Sequence, residues 1–353
     1  MVKSLDNTAI NNILIRSTNW LGDAVMTTPA IHAVRETFPA ARITVLANPL
    51  TAPLFQPHPA VDEVLVYDRK GRHSGLKGRL VLAAELRGRG FDLAILLQNA
   101  LDAAVIAWLA RIPRRMGFAT DGRGFLLTHA VHVDAAVRRL HHVDYYLYML
   151  QQFGISGSVK QPVLDTTSDE NAAIDRLLSS RGITPDAMLL AINPGASFGS
   201  AKRWYPERFA SVAETLAEEW GARVVITGGP GETDIAAEIE SAIGKGCLNM
   251  AGRTSVRELM ALINRCDFMI TNDSGPMHLA AALGVPLIAI FGSTDHTTTS
   301  PRTERAVVVR SETDCAPCLK RECPTDHRCM TAVTPEEVVA AALRVKAKIE
   351  QEK

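Results

Sequence analysis

CDFMITNDSGPMHLAAALGVPLIAIFG, residues 266–292, reads as strand, sharp turn, helix and strand. Phe268, Met269 and Ile270 form a short apolar run, and Asn272-Asp273-Ser274-Gly275 is a cluster of turn and cap residues. Pro276 suits a first helical position, so the spacing predicts a short helix over 277–283, ended by Gly284. Residues 285–291 follow as a second apolar strand. Two such runs joined by a helix indicate parallel strands covered on both faces. In sheets of that kind ligands bind beyond the carboxyl ends of the strands, where Asp273, Ser274, Gly275 and Gly292 fall. The free amides of a helix start attract an anion, and Gly275, having no Cβ, lets the backbone approach one closely. A tight turn with an aspartate cap is the plainer reading. The grouping of Asp273, Gly275 and His278 favours a binding turn.

The same rhythm opens the chain. Residues 13–16 read as a buried strand, 17–23 as a loop, and 24–37 as a helix whose apolar face carries Ile31, Val34 and Phe38. Apolar runs at 43–46, 64–67 and 93–97 read as strands, and 101–110 and 143–153 as helices, which makes a doubly wound sheet. Asp23 stands beside Gly22 at the end of the first strand and the start of a helix. A carboxylate there is either a cap stabilised by the helix dipole or a general base at the sheet's carboxyl edge, and position leaves both readings open. Residues 69–79, RKGRHSGLKGR, carry five Lys/Arg and no acid, and read as a loop for an anionic substrate or a phosphate-rich membrane surface. Arg111, Arg114 and Arg115 form a second basic group. His141 and His142 are adjacent, so they do not share a helix face, which argues against a metal pair.

Polar residues 155–170 read as a link, and after a helix at 171–181 the alternation restarts. A strand at 188–192 runs into Asn193-Pro194-Gly195-Ala196-Ser197, and one at 224–226 into Gly228-Gly229-Pro230-Gly231-Glu232. The second loop looks like a phosphate-binding turn but lacks the GxGxxG spacing. Helices are expected at 209–220, 234–243, 256–263 and 335–353, the last capped by Thr334. Cys315, Cys318, Cys323 and Cys329 are spaced C-x2-C-x4-C-x5-C. Four thiols so close would suit zinc or an iron–sulfur cluster, but the spacing is not that of paired CxxC knuckles, and the expectation is no metal.

A chain of 353 residues suits two domains, taken as 1–180 and 181–353. A formal charge of zero argues against a general nucleic-acid binder. No apolar run reaches the ~20 residues that cross a bilayer. The polar opening MVKSLDNTAINN lacks a signal-peptide core, so a cytoplasmic protein with reduced thiols is expected.

NWLGD at 19–23, NPGASFGSAKRW at 193–204, GGPGE at 228–232, NDSGPMH at 272–278 and CAPCLKRECP at 315–324 come in order along nearly the whole chain. Together they resemble the lipopolysaccharide heptosyltransferases of glycosyltransferase family 9, the type-II branch in particular. The resemblance implies an α/β GT-B fold, two Rossmann-like doubly wound domains facing each other across a cleft, with the terminal helix packing back on the first. It implies a monomer that works without metal or cofactor and inverts the anomeric centre. The donor would be ADP-L-glycero-β-D-manno-heptose, held by the C-terminal domain. The acceptor would be heptosyl-Kdo2-lipid A, met by the N-terminal domain at the cytoplasmic face of the inner membrane through loose electrostatic contact.

Under that resemblance Asp23 strips the acceptor hydroxyl, and Lys202 neutralises the departing diphosphate together with the amides near Ser274 and Gly275. Ser197 donates a hydrogen bond, Asp273 meets donor heptose hydroxyls, and His278 lies near the diphosphate. Gly229 and Glu232 contact ribose and adenine. Arg69, Arg72 and Arg115 meet acceptor phosphates and Kdo carboxylates. The rival enzymes are another GT-B transferase or a nucleotide-sugar epimerase. A non-catalytic nucleotide-binding module is the rival class, and the missing GxGxxG after either opening strand argues against its dinucleotide form.

Overall fold

The structure, a computed structural model, describes Leu5, residues 10–244 and residues 246–352. The polar opening before Ile10 lies mostly outside the described residues, as does Lys353 at the expected end of the last helix. The chain forms two compact units, Met1–Val163 and Leu164–Lys353. Helix Ser168–Ser179, which falls before the expected boundary at 180, belongs to the second unit, where Glu170 pairs with Arg257.

In the first unit the strands are β1 (Asn12–Arg16), β2 (Arg42–Ala47), β3 (Glu63–Val66), β4 (Leu93–Leu96), β5 (Arg114–Phe118) and β6 (His129–Val131). They pair in parallel in the order β3-β2-β1-β4-β5-β6. The second unit repeats the plan with β7 (Leu189–Asn193), β8 (Arg223–Ile226), β9 (Cys247–Asn249), β10 (Phe268–Asn272), β11 (Leu287–Phe291) and β12 (Ala306–Arg310). Its order is β12-β11-β10-β7-β8-β9, again parallel throughout. Counted from each unit's own first strand, both sheets run 3-2-1-4-5-6, the doubly wound order. The winding reverses between the first and fourth strands, so the crevices open beyond the carboxyl ends of β1 and β4 and of β7 and β10.

Burial explains which strands their sequence reveals. Every residue of β4, β7, β10 and β11 is buried, matching continuous apolar runs covered by helices on both faces. β9, three residues long, and β12, Ala306–Arg310, lie at sheet edges and are only partly buried. In β5 and β6 polar residues interrupt the pattern, as Arg114 and Arg115 of the second basic group do in β5.

Two helical expectations need correction. The single helix over 24–37 is two, Leu21–Met26 and Thr28–Thr37. Pro29 has no N–H to return to the carbonyl of Val25, and the hydroxyl of Thr28 bonds that carbonyl instead at 2.9 Å. The basic stretch 69–79 is a loop only as far as Ser74, because helix Gly75–Gly88 takes in Lys77 and Arg79. The last helix, Pro335–Gln351, opens on a capping box between Thr334 and Glu337 and buries Val338, Ala341, Ala342 and Val345. These side chains join Trp204, Phe209, Ile288 and Ile290 in the core of the second unit. No described helix is long and apolar enough to cross a membrane.

Candidate active site

In the first unit two buried arginines set the loops beside the β1/β4 crevice. Arg16, the last residue of β1, donates to the carbonyls of Ser17 at 2.6 Å and Leu46 at 3.1 Å, and to Asn19 Oδ1 at 3.0 Å. It is 3% exposed, and burial lowers its pKa to about 10, so it stays charged at neutral pH. Arg123 reaches across the end of β4. Its Nε donates to the carbonyl of Phe118 at 2.8 Å, its Nη2 to Asn99 Oδ1 at 2.7 Å, and its Nη1 to the carbonyl of Gln98. Asn99 in turn donates to the hydroxyl of Tyr145 at 2.8 Å, and that ring stacks on Phe118 with centroids 4.0 Å apart. These donors are spent on backbone carbonyls and asparagine side chains, which fixes the backbone at this edge.

Between these loops lies a pocket of about 430 Å³ lined by Trp20, Asp23, Asn99, Arg138, His142 and Tyr145 among others. Asp23 sits in the first turn of Leu21–Met26, whose N-cap is Trp20, so it is not the cap. Its carboxylate instead faces the ring of His142, with Oδ1 3.4 Å from Nδ1. A carboxylate placed this way, open to the pocket at a helix start, has the position of a general base.

The basic residues expected at the acceptor are not brought to this pocket. Arg115 lies near the amino end of β5 and gives Nε to the carbonyl of Leu126 at 2.7 Å and Nη1 to that of Ile112 at 2.5 Å. Arg72 pairs with Glu85, and Arg69 is exposed on the loop before Gly75. Besides Trp20 and Asp23, the charged and aromatic groups that line the pocket, Arg138, His142, Tyr145 and Tyr146, come from residues 134–151, which carry no motif of their own.

In the second unit Lys202 and Asp273 meet at the β7/β10 crevice. Lys202 Nζ lies 2.5 Å from Asp273 Oδ2, and Thr294 Oγ1 donates to the same oxygen at 2.6 Å. Asp273 is 4% exposed, and a carboxylate so buried needs such partners. The ammonium also lies 5.1 Å from the Phe198 ring centroid, within cation–π range. Two asparagines at strand ends lock the loops. Asn193 Nδ2 donates to Ser274 Oγ at 3.1 Å, while Asn272 donates to the carbonyl of Pro194 at 2.7 Å and accepts from the amide of Trp204 at 3.1 Å. Helix Gly275–Ala282 starts here, and its N-cap Ser274 makes no side-chain cap bond, so the amides of the first turn are left for an anion. His278 is buried one turn along.

Glu232 closes the third side. Its carboxylate accepts from the amide of Gly229 at 2.7 Å and packs against Gly195, where an added Cβ would stand 2.0 Å from the carboxyl carbon. Gly195 is therefore required by the close approach of Glu232, and links the NPG and GGPGE loops. Ser197 is exposed on the loop between Gly195 and Lys202.

The cysteine segment has a role the spacing does not disclose. The carbonyl of Arg321 accepts from the amide of Ala201 at 2.9 Å, and His327 Nε2 lies 3.0 Å from the carbonyl of Ala201. The segment thus braces the turn that carries Lys202. Cys315, Cys318, Cys323 and Cys329 line one cavity of about 110 Å³ with His327, and all four are free thiols. Among the described residues no three Cys, His, Asp or Glu side chains gather closely enough to hold a metal ion. Cys247 and Cys266 are shielded thiols, each pushed up to about 12 chiefly by burial.

Two doubly wound sheets, each with polar groups at its reversal point, define an α/β protein of the Rossmann-like two-domain class. The chain belongs to glycosyltransferase family 9, the heptosyltransferases, whose model matches residues 79–328. It is 31% identical to lipooligosaccharide heptosyltransferase 2 of Campylobacter jejuni over 94% of this chain and 97% of that one. With lipopolysaccharide heptosyltransferase 2 of Escherichia coli K12 it shares 29% identity over 93% and 96%. The solved Escherichia coli ADP-heptose lipopolysaccharide heptosyltransferase II superposes with a TM-score of 0.83 at 27% identity, covering 96% of this chain and 99% of that one.

Proposed function

We propose that this protein transfers L-glycero-D-manno-heptose from ADP-heptose to heptosyl-Kdo2-lipid A, in one inverting displacement without a metal ion. The observation that carries this reading is the convergence of Lys202 and Thr294 on the buried Asp273 beside the uncapped start of Gly275–Ala282. A departing nucleoside diphosphate needs positive charge and N–H donors at one place, and Lys202 with the first-turn amides supplies both. Asp273 and His278 border the same turn and suit heptose hydroxyls and diphosphate oxygens. Glu232 and Gly229 sit at the end of β8, where the ribose and adenine of a nucleotide would lie, and Ser197 offers a hydroxyl from the loop between. In the first unit Asp23 takes the proton of the acceptor hydroxyl, so that the attacking oxygen gains charge as the bond to the anomeric carbon forms.

Names of relatives at about 30% identity support heptose as the sugar and lipopolysaccharide as the acceptor class. The acceptor lies in the inner membrane, and we place the protein at its cytoplasmic face, as a monomer held by its surface cations. The exposed basic groups Arg69, Lys70 and Arg72 suit that surface better than they suit the Asp23 pocket. Residues 1–180 and 181–353, or the compact units close to them, divide the work into acceptor and donor halves.

The test is transfer from ADP-heptose to heptosyl-Kdo2-lipid A, run with EDTA and with a control lacking acceptor. Acceptor-dependent ADP release with a heptose-sized mass gain is expected under both conditions. ADP release without acceptor would replace this reading with a hydrolase or an epimerase, and loss of transfer in EDTA would overturn the metal independence.

A further inference from the structure

We propose that His142 is the positioning residue for Asp23, donating from Nδ1 to Oδ1 so that Oδ2 is the oxygen that takes the acceptor proton. The inference rests on the reading of Asp23 as base and extends it to a residue outside every recognised motif. His142 is the first residue of helix His142–Gln151. Its Nδ1 is buried and has no hydrogen-bond partner in the ordinary range, yet it lies 3.4 Å from Asp23 Oδ1. A buried ring nitrogen left without a partner is uncommon, and the carboxylate of the candidate base stands within reach of it. A modest turn of either side chain shortens 3.4 Å to a normal bond, the kind of tightening that accompanies substrate binding.

The surroundings hold the ring in place rather than offering it another role. Tyr145 and Tyr146, three and four residues further along the helix, stand 6.4 Å and 6.5 Å from the imidazole centroid, the second edge-on. Tyr145 is itself fixed by Asn99 and by stacking on Phe118. The preceding His141 caps the helix by accepting from the amide of Val143 at 3.2 Å, which sets the direction in which His142 leaves the backbone. Both His142 and Asp23 line the 430 Å³ pocket, so the pair meets whatever occupies it. A carboxylate free to rotate presents either oxygen to a substrate. One bonded at Oδ1 presents Oδ2, which is the usual service of a base-orienting partner.

The choice of ring nitrogen gives the test. An asparagine Nδ2 falls close to the position of the imidazole Nδ1, whereas a glutamine Nε2 falls close to that of Nε2. Transfer by His142→Phe, His142→Asn and His142→Gln is measured against the parent, with melting temperature and ADP-heptose affinity as controls. His142→Phe is expected to lower kcat by about 10–10²-fold, part of the about 10²–10⁴-fold that a positioned base contributes, with donor affinity unchanged. His142→Asn is expected to restore most of kcat and His142→Gln little. Parent-like kcat in His142→Phe overturns the proposal, and so does a failure of His142→Asn to exceed His142→Gln. If the Phe variant does not fold, the Asn and Gln pair alone decides. Asp23→Asn, run in parallel, separates the two readings: high activity there removes the base assignment itself, whereas inactivity there with an active His142→Phe removes only the positioning role.

Discussion

Lys202 Nζ and Thr294 Oγ1 converge on a single oxygen, Oδ2 of Asp273, at 2.5 Å and 2.6 Å. The carboxylate is thus tied to the turn after β7 and to the turn after β11 at once. It holds the ammonium where the start of Gly275–Ala282 opens, so charge and helix amides address one spot.

Truncating Lys202 leaves the buried Asp273 carboxylate without its counter-charge, with Thr294 still donating to it. Lys202→Ala is expected to lose about 10²–10³-fold in kcat/KM, the scale for removing one group that stabilises developing negative charge. Its stability should fall by up to about 3 kcal/mol, the lower bound for breaking a buried pair. Thr294→Val removes one hydrogen bond and should cost only about 1 kcal/mol. Steady-state ADP release and urea titrations of the three proteins check the ordering. A Lys202→Ala enzyme with parent kinetics would end the role given to this side chain.

Gly195→Ala tests the contact between two loops. The new Cβ would overlap the carboxylate of Glu232, which would have to leave the amide of Gly229. If Glu232 holds the nucleoside, ADP affinity should fall about tenfold, some 1.4 kcal/mol, with kcat affected less. Glu232→Ala should reproduce that loss, and the double variant should lose no more than either alone, because both act on one group. Calorimetric titration with ADP measures all three. Additive losses would mean the glycine acts by another route.

Much of this was legible in the sequence, and for a physical reason. Strands β7, β10 and β11 are buried on both faces and so are written as unbroken apolar runs, and the turns after them carry the polar residues that a crevice needs. Asp273 and Ser274 stand out because their turn combines caps and a glycine, whereas Lys202 is singled out through the family resemblance. Thr294 was not, because a threonine after a strand looks like any turn residue until its neighbour is known. Nor was Arg115: a run of basic residues looks alike whether it waits for a ligand or donates to its own backbone carbonyls. The split of residues 24–37 could have been read from Thr-Thr-Pro at 27–29, since a proline removes the bond four residues back. The cysteine spacing argues against metal knuckles but says nothing of the backbone around Arg321 and His327, which makes their segment a brace for Ala201.

Thiol reactivity should follow the same distinction. Bonds from Thr325 lower the pKa of Cys323, and Cys315 is exposed, while burial pushes Cys247 and Cys266 to about 12. Iodoacetamide at pH 8 should label Cys323 and Cys315 first, and Cys266 only once the protein unfolds. Peptide mass mapping over a time course reads the order, and early labelling of Cys266 would contradict the packing of that helix end.

The pairing of Glu170 with Arg257 sets an acid dependence of stability. Arg257 donates from Nε to Oε1 at 2.6 Å and from Nη2 to Oε2 at 2.5 Å, and Thr167 adds its backbone N–H at 2.8 Å. These bonds, those from Arg257 foremost, hold the Glu170 carboxyl at about 2, down from 4.5. A carboxyl depressed on folding adds stability above its unfolded value, and that stability is lost as pH falls through the folded one. Here the window runs from about 4.5 down to about 2. Solvent reaches the pair, whose carboxylate is 24% exposed, so the contribution at neutral pH is about 1 kcal/mol. Glu170→Gln is the informative variant, because glutamine keeps the capping box with Thr167 and removes only the charge that faces Arg257. Urea midpoints of the two proteins should differ by a constant amount from pH 5 to pH 8, and the gap should narrow steadily below pH 4.5. A gap of the same size at pH 3 would assign the loss to packing or to the cap, and would remove the ion pair from the account.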